Sequence, residues 1–272
     1  MSVINTNVKS LVAQNALTVN SRNLSKTMEQ LSTGKRINGA SDDAAGLAIS
    51  NKMTSQIKGL NQAVRNANDG ISMIQTAEGA TKEVTNMLQR VRELAVQAAN
   101  DTYDAADRTA MQDEVGQLEE EITRIATNTK WNGMSVLSSA QTKNLQVGME
   151  NATDSTIELN LQDMTASGLD VSGLDLSSHT AAQAVLDKVD TAIATVDSFR
   201  SDLGSKMNRL NYAADNMSNV SLNTAASRSR IEDTDYAQTT TELARSQIIQ
   251  QAATAMLAQA NQQPSSVLSL LQ

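Results

Sequence analysis

The residues of this chain that could carry out catalysis are few and lie far apart. His179 is the only histidine and there is no cysteine, so the sequence offers neither a histidine cluster nor a thiolate ligand for a metal ion. Ser41 is a candidate nucleophile, but no base lies at a spacing that would activate it. Asp42 and Asp43 are better explained as caps of a long helix than as a metal site. The pattern favours a non-enzymatic protein with no catalytic residue, no cofactor and no metal ion.

Other charged features also favour simple structural roles. The carboxylate run Glu119–Glu121 is interpreted as a solvated helix face, and His179 as an exposed loop residue. The formal net charge of −8 argues against nucleic acid as a partner. No apolar run approaches the roughly 18 residues of a membrane span, and residues 1–7 lack the basic and apolar regions of a signal peptide. We therefore expect no membrane partner and, if the protein is exported, a route without a cleaved signal.

The composition predicts long helices in thin bundles. The 272 residues include one proline, one phenylalanine and one tryptophan, so both helix breakers and bulky core residues are scarce. Apolar and small residues between 49 and 98 recur alternately every three and four positions, which predicts a helix of about 75 Å. Gly59, Gly70 and Gly79 lie within it, and each costs about 1 kcal/mol relative to alanine.

Further elements follow from similar patterns. Residues 100–104 predict a turn, and the stripe from Met111 to Ile125 predicts a second helix that ends at Trp131–Gly133. Alternating residues in 145–148 and 156–161 predict one β-hairpin, followed by loops. Another long stripe, from Val189 to Met217, predicts a helix that begins near Thr180 and is interrupted at Ser227–Tyr236.

The two ends of the chain carry the weakest helices, because their apolar stripes are narrow. The last helix is expected to stop before Pro264. The N-terminal stripe consists of Ile4, Val8 and Leu11 and then, after a phase shift, Leu17, Leu24, Met28 and Leu31. The C-terminal stripe consists of Ile249, Ala253, Met256 and Ala260.

The order of elements is nearly symmetric about the β-hairpin region. The chain should run out and return, so that its two ends lie side by side and the hairpin lies at the far tip. The predicted fold is mostly α: a long antiparallel helical coiled-coil bundle with a small β-hairpin region at the tip.

Several segments closely resemble bacterial flagellin, and together they span essentially the whole chain. At the N-terminal end these are Ile4–Asn7, Leu31–Asn38 and Asp42–Ile49. In the long helix the segment is Leu88–Asn100, and towards the C-terminus it is Ser227–Tyr236 and Leu257–Leu271. Larger flagellins carry outer domains between the β region and the returning helix, whereas that interval here is only about 130–180. The chain therefore resembles a short flagellin that lacks the variable outer domains.

The resemblance implies a division of the chain and a function. Residues 1–44 and 227–272 would form an inner polymerisation domain of terminal helices with their connecting loops. Residues 45–226 would form a helical rod that includes the hairpin region at about 130–178. The implied function is that of a structural subunit that polymerises into the flagellar filament for motility. The alternatives are a hook–filament junction protein and, from a different class, an autonomous coiled-coil binding module.

The resemblance also implies partners and sites. The chain would leave the cell by type III flagellar export and reside in the extracellular flagellum. Besides other copies of itself, its partners would be an export chaperone, the filament cap and junction proteins, and the flagellin-sensing Toll-like receptor of animal hosts. The implied receptor-binding residues are Gln89, Arg90, Glu93, Leu94 and Glu114. The predicted polymerisation residues are Leu24, Met28, Leu31, Ile249, Ala253 and Met256.

Overall fold

The computed structural model describes residues 6–150 and 152–268. The chain divides into two compact units: a terminal unit, Met1–Ser55 with Asn223–Gln272, and a central unit, Gln56–Leu222. The helices are α1 (Val8–Thr33), α2 (Ala44–Ala98), α3 (Ala105–Asn128), α4 (His179–Glu232) and α5 (Tyr236–Leu268). The strands are β1 (Lys130–Trp131), β2 (Met134–Ser135), β3 (Gln141–Gln146) and β4 (Thr156–Leu161). The prediction of a mostly α fold with long helices is confirmed.

The turn between α2 and α3 lies where the sequence predicts it. The Asp104 carboxylate accepts hydrogen bonds from the amides of Ala106 and Asp107, which caps the first turn of α3. The Arg108 guanidinium donates to the Ala98 carbonyl at 3.0 Å and to the Asn100 carbonyl at 3.2 Å. These bonds satisfy carbonyls that the end of α2 would otherwise leave unpaired.

A continuous hydrophobic core runs through the central unit. The predicted stripe of α2 is buried over most of its length in this unit, and Phe199 of α4 is only 2% exposed. The strands and the segment that follows them contribute further buried side chains. Those from α2 to α4 that are almost completely inaccessible include Ile74, Val84, Leu88, Val91, Ile122, Leu137, Leu159, Met164, Leu176, Leu203 and Leu210.

The central unit contains two antiparallel hairpins. The predicted one is confirmed, since β3 pairs with β4 and Leu145 lies opposite Ile157. Its first strand covers residues 141–146 instead of the predicted 145–148. The other pairs β1 with β2 and is closed by Asn132 and Gly133, whose φ angles are +48° and +79°. These are the signs of a type I′ turn, for which Asn-Gly is a strong sequence signal. The prediction that residues 131–133 end the second helix is wrong, since α3 ends at Asn128.

The position of the larger hairpin differs from the prediction. A Cβ atom placed on Gly70 would lie 2.6 Å from a methyl group of Leu145, and one on Gly59 would lie 3.1 Å from Met149. The side-chain amide of Asn66 also donates to the Gln146 carbonyl at 3.1 Å. The hairpin therefore packs beside residues 59–70 of α2 and not at the far tip, near residue 98. The two glycines remove the side chains that would keep it away from the helix.

The segment after β4 is a second departure from the sequence interpretation. Its apolar residues are buried at alternating intervals of two and three positions, so it covers the core instead of forming open loops: Met164, Ala166, Leu169, Val171, Leu174 and Leu176. The Glu119 carboxylate accepts hydrogen bonds from the amides of Gly173, at 2.8 Å, and Leu174, at 3.0 Å. Gln112 bonds to the backbone of Leu174 and Leu176. The prediction that Glu119 lies on a solvated face is therefore wrong.

In the terminal unit, the connection between α1 and α2 is bound to the end of α4 and the residue that follows it. Lys35 and Asp233 form an isolated antiparallel bridge, and the Arg36 amide donates to the Glu232 carbonyl at 2.6 Å. The Glu232 carboxylate pairs with Lys35 at 2.5 Å and accepts a hydrogen bond from Ser50. The Lys35 and Ser50 hydrogen bonds lower the Glu232 pKa below its usual value. These contacts join the α1–α2 connection to the end of α4.

Two further predicted helix boundaries are wrong. The expected interruption at Ser227–Tyr236 is limited to residues 233–235, because α4 continues to Glu232. The segment 227–232 contains neither glycine nor proline, and it is held through Glu232. At the other end, α5 continues through Pro264 to Leu268. A proline within a helix removes one hydrogen bond of the helical ladder, but it does not end the helix here.

Candidate assembly surface

The residues first considered for catalysis have structural partners. Asp42 accepts hydrogen bonds from the amides of Asn38 and Gly39 and pairs with Lys26 at 2.8 Å. The Lys26 hydrogen bond, followed by that from Asn38, lowers the Asp42 pKa. Asp43 accepts from the Gly46 amide at 2.8 Å and caps α2. Of the predicted caps Asp42 and Asp43, Asp43 acts on the helix, whereas Asp42 holds the preceding loop. The candidate nucleophile Ser41 is exposed in that loop.

His179 is not the exposed loop residue that was expected. It is the first residue of α4 and is half-buried, and its Nδ1 lies within hydrogen-bond distance of the Ala99 carbonyl. The imidazole therefore contacts the backbone at the end of α2. Among the residues that the structure describes, no group of three or more acidic or histidine side chains is arranged to hold a metal ion.

A long surface of the terminal unit is formed by α1 and α5, which pack against each other as an antiparallel pair. The side chains that lose exposure on each helix follow strict alternation of three- and four-residue steps, as in a coiled coil. On α1 they are Ser10, Ala13, Leu17, Asn20, Leu24, Thr27 and Leu31, and on α5 they are Thr239, Leu243, Ser246, Gln250, Ala253, Leu257 and Ala260. Nine of these fourteen residues are polar or alanine, so the seam buries little apolar surface.

Hydrogen bonds fix the seam at two levels. The residue Asn20 is only 7% exposed, and its side-chain amide donates to the Ser246 carbonyl at 2.9 Å. Towards the start of α1, the Asn7 amide donates to the Ala260 carbonyl at 2.8 Å. A buried polar residue in a coiled-coil seam favours one register over its neighbours. The seam therefore specifies the alignment of α1 and α5 more strongly than it stabilises the pair.

The predicted polymerisation residues separate into two groups. Leu24, Leu31 and Ala253 are half-buried in the seam between α1 and α5. Met28, Ile249 and Met256 lie outside it, and their exposed fractions are 56%, 42% and 66%.

The predicted start of the N-terminal seam is wrong. Val8 and Leu11 are exposed at 59% and 56%, and Ile4 lies outside the described residues. The actual seam positions nearby are Ser10 and Ala13, which an apolar pattern does not detect.

One side of the α1–α5 pair carries most of its exposed apolar side chains. Val8, Val12 and Met256 line a single groove, and Val19 lies with Val12 along the same edge of α1. Ile249 is two turns from Met256 and therefore shares its helix face. We call these five residues the apolar flank. The opposite side is mainly polar, with Gln14, Thr18, Ser21, Gln247, Gln251 and Thr254 exposed there.

The predicted receptor-binding residues lie where α2 packs beside α3. The Arg90 guanidinium donates to Glu114 at 2.8 Å and to Glu93 at 3.0 Å, and these hydrogen bonds raise its pKa. Gln89, Arg90, Glu93 and Glu114 are exposed.

Leu94 differs from the other four, because it is only 3% exposed. Its side chain is therefore not available for the direct receptor contact that the sequence resemblance implies. The buried face of α2 is wider here than one seam and includes both Leu94 and Ala95.

Comparisons with known proteins cover nearly the whole chain. Sequence profiles of the bacterial flagellin N-terminal and C-terminal helical regions match residues 4–142 and 186–271. A flagellin of Halalkalibacterium halodurans is 46% identical over 270 residues, which cover 99% of each chain. The flagellar filament 33 kDa core protein of Treponema phagedenis is 42% identical over 284 positions, again with 99% of each chain covered.

A solved structure extends the likeness to the fold. A putative flagellar hook-associated protein from Vibrio parahaemolyticus aligns with a TM-score of 0.58 over 71% of this chain and 100% of its own. At 14% sequence identity, this likeness concerns the fold alone. No helix within residues 6–150 and 152–268 is both long and apolar enough to cross a membrane.

Proposed function

This chain belongs to the bacterial flagellin family and is a structural subunit of the flagellar filament, and from this premise we propose that neighbouring copies pack on its apolar flank. The family is structural and non-enzymatic, and the junction-protein alternative is not favoured. The observation that supports the proposal is the burial pattern of the terminal unit. Of its described hydrophobic residues only Ile37 is buried, whereas five are exposed along one side of α1 and α5.

The energetics favour burial of this flank. Complete burial of a valine, isoleucine or methionine side chain contributes about 1.5–3 kcal/mol, and these five side chains retain roughly half of that surface. Contacts with copies on this side could therefore contribute several kcal/mol per subunit. Because the opposite side is polar, the two sides of the pair would meet different neighbours. Such head-to-tail contacts generate an open helical polymer, as a filament requires.

The weak seam supports a role for assembly in ordering the ends. Isolated helices with narrow apolar stripes are marginal in water, and the α1–α5 seam adds little apolar burial. We infer that residues 1–44 and 227–272 form the inner domain of the filament, around a central channel. Residues 45–226 would then form the surrounding tube.

Export and assembly partners belong to the same proposal. We place the protein in the extracellular flagellum after type III export. Ile248 and Met256 are each 66% exposed on α5, so a dedicated export chaperone would shield this helix before assembly. The filament cap and junction proteins would contact the same terminal helices. A pull-down of the chaperone with residues 236–272 tests the first of these contacts.

The surface around Arg90 is proposed as the site for the flagellin-sensing Toll-like receptor. Support comes from its exposed polar and charged side chains, Gln89, Arg90, Glu93 and Glu114, which stand together on α2 and α3. An arginine held by two carboxylates is pre-oriented, and arginine is common among residues that dominate binding. Leu94 would contribute by supporting this surface from below.

The assembly proposal is tested with one methionine substitution in each unit. Met256→Gln places a polar side chain of similar length on the apolar flank, and Met134→Gln makes the same change at an exposed residue of the central unit. We expect the first to raise the critical concentration for seeded polymerisation roughly tenfold, while the second leaves it within about twofold, since an interfacial methionine is worth roughly 1–2 kcal/mol. Equal critical concentrations would contradict the proposal.

The receptor proposal is tested with two arginines of similar exposure on α2. Arg90→Ala should reduce activation of a receptor reporter by depolymerised protein at least tenfold. Arg92→Ala, which removes a pair with Asp190, should change it less than threefold. Leu94→Ala is a poor probe because truncation of a buried leucine destabilises the unit itself. Full activity of folded Arg90→Ala protein would exclude this site.

A further inference from the structure

Pro264 leaves one carbonyl group of α5 without its usual hydrogen bond. In an α-helix the amide of each residue donates to the carbonyl four positions earlier. Proline has no amide hydrogen, so the Ala260 carbonyl lacks the donor that it would otherwise have four positions later in the helix. Because α5 continues past this point, the carbonyl needs a donor from elsewhere.

The Asn7 side chain supplies that donor. Its Nδ2 lies 2.8 Å from the Ala260 oxygen. Its Oδ1 accepts from the Ser10 amide at 3.2 Å and so caps the first turn of α1. The side-chain amide of Asn7 thus pairs both with the Ser10 backbone N–H at the start of α1 and with the Ala260 carbonyl in α5. Only an amide side chain offers both a donor and an acceptor at this length.

The contact lies directly beside the apolar flank. Val8 follows Asn7 in sequence, and Val8, Met256 and Ala260 line the same groove. The Ser10 hydroxyl donates to the side chain of Asn261, the residue after Ala260, at 2.9 Å. A shift of α5 along α1 would break the Asn7–Ala260 bond and would also separate Val8 from Met256.

We propose that Asn7 is a positioning residue for filament assembly, which acts by aligning α1 with the proline-interrupted turn of α5. The inference rests on the proposed role of the apolar flank. Asn7 does not itself belong to that surface. It sets the register in which the α1 and α5 halves of the surface form one continuous groove.

The test is a double-mutant cycle between Asn7 and Pro264 in the full-length chain. Asn7→Asp retains the cap, because aspartate also accepts from the Ser10 amide, but it places an acceptor opposite the Ala260 carbonyl. Pro264→Ala restores an amide that can donate to Ala260 within α5. The readout is the critical concentration for polymerisation on wild-type seeds. Circular dichroism melting of each variant verifies that the central unit is folded.

We expect Asn7→Asp to raise the critical concentration roughly three- to tenfold, as the loss of one hydrogen bond and the unpaired carbonyl predict. In the Pro264→Ala background the same substitution should cost less than about twofold, because Ala260 no longer needs the Asn7 donor. A structural effect on the α1 cap alone would not be rescued in this way. An equal loss in both backgrounds, or no loss in the wild-type background, would overturn the inference.

The cycle separates this inference from the function on which it rests. If Met256→Gln leaves assembly unchanged, the role of the flank fails whatever the Asn7 variants do. If Met256→Gln impairs assembly but Asn7→Asp does not, the flank stands and the positioning role of Asn7 is excluded.

Discussion

The terminal and central units are built from the same kind of long amphipathic helix, but they differ in what those helices bury. In the central unit, leucine, isoleucine, valine and phenylalanine fill the space between α2, α3 and α4. In the terminal unit, the seam between α1 and α5 contains asparagine, serine, threonine and glutamine, while valine and methionine side chains face outward. The central unit meets its hydrophobic requirement within the chain, whereas the terminal unit leaves apolar side chains exposed, as the proposed packing of copies on the flank requires.

The difference shows that helical periodicity does not by itself identify the partner of a helix. On α2 the apolar stripe and the buried stripe coincide, for example at Leu88 and Val91. On α1 they do not, since Val8 and Val12 are exposed and Asn20 is buried. An apolar stripe marks the face of a helix that is to be removed from water. A neighbouring subunit can cover this face, so the partner need not be in the same chain.

The largest test of this comparison is deletion of residues 236–272, which removes α5. We expect filament growth to stop completely, because α1 loses its partner and half of the apolar flank disappears. The central unit should keep its melting temperature within a few degrees, since its core contains no residue of α5. Electron microscopy and circular dichroism measure the two effects. Normal filaments from this truncation would show that polymerisation does not depend on α5 of the terminal unit.

A second test applies one substitution to both units. Leu88→Ala removes a fully buried side chain of the central core and should lower the free energy of unfolding by about 2–5 kcal/mol. Leu24→Ala, in the half-buried α1–α5 seam, should change the unfolding of the central unit by less than about 0.5 kcal/mol. Urea denaturation of the monomer gives both values. Equal losses would mean that the terminal helices contribute to the same cooperative core.

Two glycines of α2 sharpen the comparison within the central unit. Gly70→Ala brings a Cβ to 2.6 Å from a methyl group of Leu145, and the resulting overpacking should destabilise the unit by about 1–3 kcal/mol. Gly79→Ala has no atom within 4 Å of the new Cβ and should stabilise α2 by up to about 1 kcal/mol. Thermal unfolding would show opposite shifts. A gain at Gly70 equal to that at Gly79 would contradict the packing of the hairpin on α2.

The smallest expected effect concerns acid and the terminal unit. The Glu232 pKa is lowered by Lys35 and Ser50 from its usual 4.5, so this carboxylate stabilises the connection fully above about pH 4.5. The contribution is lost as the pH falls below that value and Glu232 takes up a proton. Amide exchange at Arg36 and Thr234 should therefore accelerate below pH 4.5, after correction for intrinsic rates. Glu232→Gln should weaken this pH dependence, whereas Glu120→Gln, at an exposed position, should leave it unchanged.

Some features of the fold and the site were accessible to sequence reasoning because they depend on local pattern. The existence of the larger hairpin and the α2–α3 turn follow from alternation and capping residues. The β1–β2 hairpin had a usable signal in Asn132-Gly133 that the sequence interpretation did not apply. The leucines of the α1–α5 seam were part of the predicted stripe, but its polar positions had no comparable signal. Ser10, Asn20 and Gln250 lose exposure only because of the helix that lies opposite.

The amino-acid sequence by itself determined that the chain is mostly helical, that its ends are weakly amphipathic and that it belongs with the flagellins. These properties follow from periodicity, composition and motifs, which are local. Only the tertiary structure decided that Leu94 is buried, that Glu119 anchors the segment at 173–174 and that the apolar flank lies beside the seam instead of within it. Each of these depends on which surface a distant segment covers, and a helix presents several faces that the chain's own pattern does not rank.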